Sequence, residues 1–292
     1  MATSPKKKPV PKKPQPKGRK QRKTPGRRGK KAVQEPGFFS LSGKGFYVVA
    51  ACLAVLLSTG FYFFFIRPYA YRWKPCYGAK MYGVCLPLGY EIHGIDLSHH
   101  QGDIDWEVLQ TMQSNGFPLR FAFIKATEGG DLADPRFSYN FAQARSHGYI
   151  RGAYHFFNPS TPASRQADFF IRTVQLEHGD LPPVLDVERR GKLDKAELQE
   201  AVKCWLDKVE RHYGVKPILY TSYKFKMRYL SDPMFDAYPY WIAHYYVDSV
   251  RYEGAWRFWQ HTDRGIVPGI PQNVDLNIFK GSMDELQALT LP

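Results

Sequence analysis

The stretch PPVLDVE, residues 182–188, decides how this chain is read. Two prolines open it, Val184, Leu185 and Val187 give it an apolar strand character, and its acids, Asp186 and Glu188, stand at i and i+2. Side chains alternate faces along a strand, so Asp186 and Glu188 project together while Val187 faces away. Two carboxyls then share one pocket. Like charges held that close do not both ionise cheaply, so one group keeps its proton near neutral pH and can act as a general acid. Glu188, at the strand end and with the longer reach, is the candidate proton donor. A lone DxE is more often a strand ending in solvated acids, or acids paired with neighbours such as Arg189 and Arg190, so its surroundings carry the weight.

Outward from this stretch, short apolar runs alternate with amphipathic ones. EIHGIDL, LRFAFIKA, YIRGAYHFF, PPVLDVE, PILYTS, YWIAHYY, WRFWQHT and VDLNIF read as strands, rich in β-branched and aromatic residues and bounded by Gly, Pro, Asp or Asn. Helices are expected over 105–114, 135–146, 163–175 and 194–213. The last has Asp194 as N-cap, Glu197 three residues on, and Gly214 as its stop. Alternating strands and helices imply parallel pairing with crossover helices, and eight strands in about 200 residues imply an α/β fold closed into a TIM-like (β/α) barrel. Only short polar or Gly/Pro segments separate the last three strands, so an irregular barrel is expected.

In such barrels the chemistry sits where strands end. The strand ends present Asp96, Glu128, Tyr154 with His155, Asp186 with Glu188, Tyr220, His244, Gln260 and Asp275. Acids and hydrogen-bonding aromatics suit carbohydrate, whose hydroxyls need polar partners and whose ring faces stack on aromatic side chains. Tyr154, Tyr220, Trp241, Gln260 and Glu128 are candidate substrate contacts. Each has a plainer reading as a core residue or loop anchor.

The net charge of +14 belongs to the first 45 residues, which hold 15 Lys or Arg and one acid; the remainder is balanced. A basic folded domain is therefore excluded, and a specific nucleic-acid partner is not expected. Residues 1–45 carry too little apolar surface to offset chain entropy and read as a disordered tail. Residues 46–66, FYVVAACLAVLLSTGFYFFFI, carry no charge and suit a helix spanning a bilayer core of about 30 Å. A cleaved signal peptide has a shorter apolar region and a small-x-small site, which is not evident after Ile66. The excess of basic residues before the span places the amino terminus in the cytoplasm, with 67–90 as a stalk and 91–292 as a domain beyond the inner (cell) membrane, which is the periplasm if the cell is Gram-negative. Anionic lipid headgroups are the tail's expected partner.

Cys52 falls in the span, and Cys204 in the 194–213 helix reads as a buried structural thiol. Cys76 and Cys85 flank a turn-rich segment just past the membrane. An oxidising compartment would favour their bridge, although spacing alone does not show that the Cβ atoms converge. A metal site is the rival reading, because His99, His100, His155, His244 and His261 accompany the acids. No HExxH or similar ligand pair appears, and the adjacent His99 and His100 would usually diverge, so neither metal nor cofactor is expected.

GIDLSHHQGDIDW, FAFIKATEG, RGAYHFF, PPVLDVE, ILYTS, YWIAHY, FWQHT and VDLNIF, in this order, closely resemble glycoside hydrolase family 25, the Chalaropsis-type lysozymes. The resemblance spans about residues 94–280. It implies an irregular β/α barrel that hydrolyses the β-1,4 bond from N-acetylmuramic acid to N-acetylglucosamine in peptidoglycan glycan strands, without metal. It also implies Glu188 as acid/base and Asp186 as the group orienting the substrate's 2-acetamido function. Asp96 would belong to the same catalytic set, and Asp275 would hold the sugar or its partner side chains. A non-catalytic, membrane-tethered glycan-binding module is the alternative; binding without turnover would favour it.

Overall fold

The computed structural model describes residues 43–67, 75–114 and 116–292, and the chain divides into two compact units between Tyr62 and Phe63. α1 (Gly43–Phe61) belongs to the first, and it runs on into a π-helical turn, Tyr62–Ile66, in which the division falls. Together they form a 24-residue helix of mean hydropathy 2.2 with none of its residues buried. At a rise of 1.5 Å per residue it is about 36 Å long, long and apolar enough to cross a membrane. The expected span, 46–66, lies within it. The tail expected over 1–45 lies, up to residue 42, outside the described residues.

The first strands of the second unit form a two-stranded hairpin, β1 (Lys80–Met81) and β2 (Val84–Cys85). There follow β3 (Ile92–Leu97), α2 (Trp106–Gln110), β4 (Leu119–Glu128), β5 (Leu132–Ala133), α3 (Phe137–Ser146), β6 (Ile150–Phe156), α4 (Ala163–Thr173) and β7 (Val184–Asp186). The chain ends with α5 (Lys195–Tyr213), β8 (Ile218–Ser222), α6 (Tyr223–Tyr229), β9 (Tyr240–Ala243), β10 (Trp256–Gly265), β11 (Val274–Phe279) and α7 (Met283–Ala288). Eight strands close on themselves in the order β3, β11, β10, β9, β8, β7, β6, β4, with β4 returning to β3 and β5 appended to the end of β4. All eight strands expected from the sequence are present. Six of the junctions are parallel; β11 is antiparallel to both β10 and β3.

The reversal of β11 has a local cause. Only residues 266–273 join β10 to β11, too few for a crossover, so this pair is antiparallel, whereas the longer helix-free connection over 244–255 brings β10 back parallel to β9. Helices follow the earlier strands, and their ends are set by sequence. Asp105 caps α2 through the Val108 N–H, Asp194 and Glu197 form a reciprocal capping box on α5, and Gly214 closes α5 at φ 73°.

Two apolar layers hold the barrel. Its interior is filled by Phe121, Phe123, Phe258, Phe279 and Trp241, with Phe123 stacked on Trp241 at 4.4 Å. Gly94 makes room for this filling, since a Cβ there would lie 2.5 Å from the Phe121 ring. Outside the sheet, Ile95 and Leu185 pack towards Phe170 and the Leu198, Val202 and Trp205 face of α5. Burying each such side chain contributes about 1.5–3 kcal/mol.

Two expectations need correction. Part of the segment read as a stalk, 67–90, is packed into the domain: Tyr82 and Leu86 are buried, Tyr82 accepts from the Ile266 N–H at 2.8 Å, and Tyr90 lies against Trp256 and Trp259. The hairpin packs into the outer apolar layer beside the end of β10. Its ends are joined by a Cys76–Cys85 disulfide, Cα–Cα 5.6 Å. Cys204 is exposed, not buried, because it falls on the solvent side of α5 while its neighbour Trp205 takes the core.

Candidate active site

One end of the barrel opens into a cavity of about 370 Å³ that brings together Asp96, Asp186, Glu188 and Asp275. Asp96 lies near the end of β3 and Asp186 ends β7. The strand ladder stops there, yet the alternation persists: Glu188 lines the cavity with Asp186, and Val187 is buried in the outer layer. Asp275 arrives differently. It was read as a strand end, but β11 runs backwards, so the second residue of the strand reaches the cavity, paired directly with Asp96.

Asp96 is held by two amides, with Oδ2 accepting from Gln260 Nε2 at 2.8 Å and from Asn277 Nδ2 at 2.7 Å. Asn277 Oδ1 accepts from Trp241 Nε1 at 2.8 Å, which fixes the indole in the cavity floor. Gln260 Oε1 accepts from the Tyr220 and Tyr245 hydroxyls at 2.7 and 2.6 Å. The Tyr220 hydroxyl also stands 3.4 Å from Glu188 Oε1, so a single chain of contacts joins Asp96 to Glu188.

The acids differ in proton affinity. Burial raises Asp96 to about 6 against the opposing pull of its Asn277, Gln260 and Asp275 hydrogen bonds. Burial, and then the Asp96 charge, raises Asp275 to about 9, so near neutral pH Asp275 keeps a proton beside Asp96. Asp186 is pushed well above the carboxylate range by burial first and by the Glu188 and Asp96 charges after it. Its Oδ1 is buried without a hydrogen-bond partner. Asp186 is the member of the DxE pair inside the barrel, while Glu188 is exposed at the mouth. An arrangement with a carboxyl at the mouth and a proton-holding carboxyl beneath it can deliver a proton to one atom of a bound sugar and take one from another.

A family profile, Glycosyl hydrolases family 25, matches residues 95–270, more than half of the chain. The chain is a family 25 glycosyl hydrolase. It is similar to the uncharacterized protein YegX of Escherichia coli K12, 49% identical over 225 residues, covering 77% of this chain and 80% of that one. It is 33% identical over 213 residues to lysozyme M1 of Streptomyces globisporus, covering 68% and 71%. A family 25 glycosyl hydrolase from Bacillus anthracis superposes with a TM-score of 0.63 at 34% identity, covering 69% of this chain and 94% of that structure.

In this family 25 domain the remaining expected contacts also reach the cavity: Tyr154, Tyr220, Trp241, Gln260 and Glu128 all line it. Glu128 is engaged by Lys125 at 2.7 Å. His155 turns outward, bonded to Thr127 and Gln166 and stacked on Trp205, and His244 stacks on Tyr223. His99 and His100 do not diverge; their rings lie 4.0 Å apart, with His99 Nδ1 on Asp134 and His100 at the cavity. Sequence reading missed Asn277 and Tyr245. Asn277 was available from the i, i+2 rule, since it shares a strand face with Asp275. Tyr245 lies past the end of β9, where no periodicity applies.

Proposed function

We propose that this chain is a muramidase of the lysozyme type, cleaving the β-1,4 bond between N-acetylmuramic acid and N-acetylglucosamine, with Glu188 as acid/base and Asp186 as the partner of the substrate's 2-acetamido group. The observation that carries the reading is the buried, unpartnered Oδ1 of Asp186 in the same cavity as Glu188. An orphaned buried acceptor costs about 1–3 kcal/mol, and an amide N–H entering with the sugar would satisfy it. Presenting that N–H favours Asp186 as a carboxylate, so the proton it holds in the empty site passes to Glu188, where the leaving oxygen needs it. The acetamido oxygen then attacks the anomeric carbon as the glycosidic C–O bond breaks. Asp186 takes the amide proton and returns it to the nitrogen as water, deprotonated by Glu188, opens the resulting ring. Asp96, with Asp275, Gln260 and Asn277, would hold this set in place, while Tyr154, Tyr220, Trp241 and Glu128 would contact the sugar.

Full-length protein in detergent, wild type and Glu188→Gln, should be incubated with purified peptidoglycan and the products read by mass spectrometry. Fragments ending in reducing N-acetylmuramic acid from the wild type alone are expected; binding without any release would favour the non-catalytic module. The first-formed anomer should retain the β configuration, and inversion would remove the acetamido route.

The 24-residue apolar helix and the basic residues before it support a single-pass anchor, with the tail in the cytoplasm against anionic headgroups at about 1 kcal/mol per residue and the domain outside. Protease added to intact spheroplasts should remove the domain; full protection would overturn this topology. Packing of the hairpin supports a catalytic unit that begins near residue 75.

A further inference from the structure

Five carboxyl groups line the cavity, Glu128 included, and two cations share its wall in different circumstances. Lys125 is neutralised by Glu128, with Nζ 2.7 Å from Oε2, and lies 4.9 Å over the Phe156 ring. Arg189 lies over the same ring at 5.6 Å, and among the described residues no carboxylate stands within ion-pair distance of it. The next residue, Arg190, behaves otherwise: it donates to the Leu193 carbonyl at 2.6 Å and so serves its own loop. Arg189 is thus an exposed guanidinium beside Glu188, placed at the cavity by an aromatic ring and left without a counter-charge.

A cavity so rich in acids repels an anionic ligand unless a cation meets the ligand's charge. If the chain is the muramidase argued above, on which this inference rests, its substrate carries such a charge on the lactyl ether arm that distinguishes the muramyl sugar. The guanidinium's planar fork matches a carboxylate in bidentate fashion, which an ammonium does not. We infer that Arg189 recognises a carboxylate borne by the muramyl lactyl arm, either the lactyl group itself or an acid on the peptide attached to it, and so contributes to choosing muramyl glycan over uncharged N-acetylhexosamine polymers.

The test compares full-length wild type, Arg189→Gln and Arg189→Lys on solubilised peptidoglycan, on amidase-stripped glycan with free lactyl carboxylates, and on each after its carboxylates are capped as methylamides. Capping should cost the wild type about tenfold in kcat/KM, mostly in KM, and Arg189→Gln should lose about as much on uncapped substrate while ignoring capping. Arg189→Lys should fall between. Discrimination kept on stripped glycan assigns the contact to the lactyl carboxylate, and discrimination only with peptides attached assigns it to the peptide. Equal losses for Arg189→Gln on capped and uncapped glycan would overturn the inference alone. No turnover of any substrate by the wild type would overturn the muramidase reading and this inference together.

Discussion

Asp96 and Asp275 stand directly opposite one another on β3 and β11, Cα partners across an antiparallel junction of the barrel, and near neutral pH the proton of the pair rests on Asp275. Both are raised above the ordinary value of 3.8, chiefly by burial, to about 6 and about 9. Over that window the native state binds more protons than the unfolded chain, so stability falls as pH rises. The contribution is whole below about pH 4, and is lost through the two folded values. Asp275→Asn removes one of these protons, so between about pH 6 and 9 the fall in unfolding free energy should be shallower by about 1.4 kcal/mol per pH unit. Urea midpoints across that range check it, and an unchanged slope would show that Asp275 does not hold the proton.

Asp186→Asn should separate folding from turnover. The substituted amide is uncharged and isosteric, so the cost of burying a carboxyl that must take up a proton on folding disappears and stability at pH 7 should not fall. The amide cannot take the acetamido proton, so kcat should drop about 10²–10⁴-fold with KM little changed. Turnover within about tenfold of wild type, measured on purified peptidoglycan, would sink the assignment.

Much of this site is legible in the sequence because strand alternation is a local rule. PPVLDVE places Asp186 and Glu188 on one side and Val187 on the other, and the cavity and the outer layer receive them so. The helix over 194–213 was legible through its cap, box and terminal glycine, each a short-range contact. What local rules do not carry is strand direction and distant pairing. Asp275 enters from the beginning of β11 because β11 is reversed, and the Asn277 and Gln260 amides meet Asp96 across 181 and 164 residues of chain. The hairpin over 80–85 reads as part of a stalk because its burial depends on partners far along the chain, Phe117 and Ile266.

Gly94→Ala tests the packing that supports the cavity floor. The added Cβ would meet Cε2, Cδ2 and Cζ of Phe121 at 2.5–2.6 Å. Phe121 is fully buried against Phe123 and Phe258, with ring centroids 5.6 and 5.2 Å away, so it has no free direction in which to turn. Overpacking of this kind costs about 1–3 kcal/mol, measurable as a lower urea midpoint with an unchanged slope. An unaltered midpoint would mean that the interior is looser than its contacts imply.

Reduction of the Cys76–Cys85 bridge should loosen the hairpin and leave the cavity intact. The bridge closes a short loop, with a sequence separation of 9, for which the chain-entropy relation gives about 2–3 kcal/mol. The hairpin is also tied to the domain by Tyr82, whose hydroxyl donates to the Phe117 carbonyl at 2.7 Å, so part of its order should survive reduction. No hairpin residue lines the cavity that holds Asp186 and Glu188. Cys76→Ser with Cys85→Ser should therefore lower the thermal midpoint while peptidoglycan turnover at low temperature stays within about twofold of wild type. Loss of turnover at a temperature where circular dichroism still reports the folded domain would show that the hairpin acts on the site, and would connect the redox state of the envelope to catalysis.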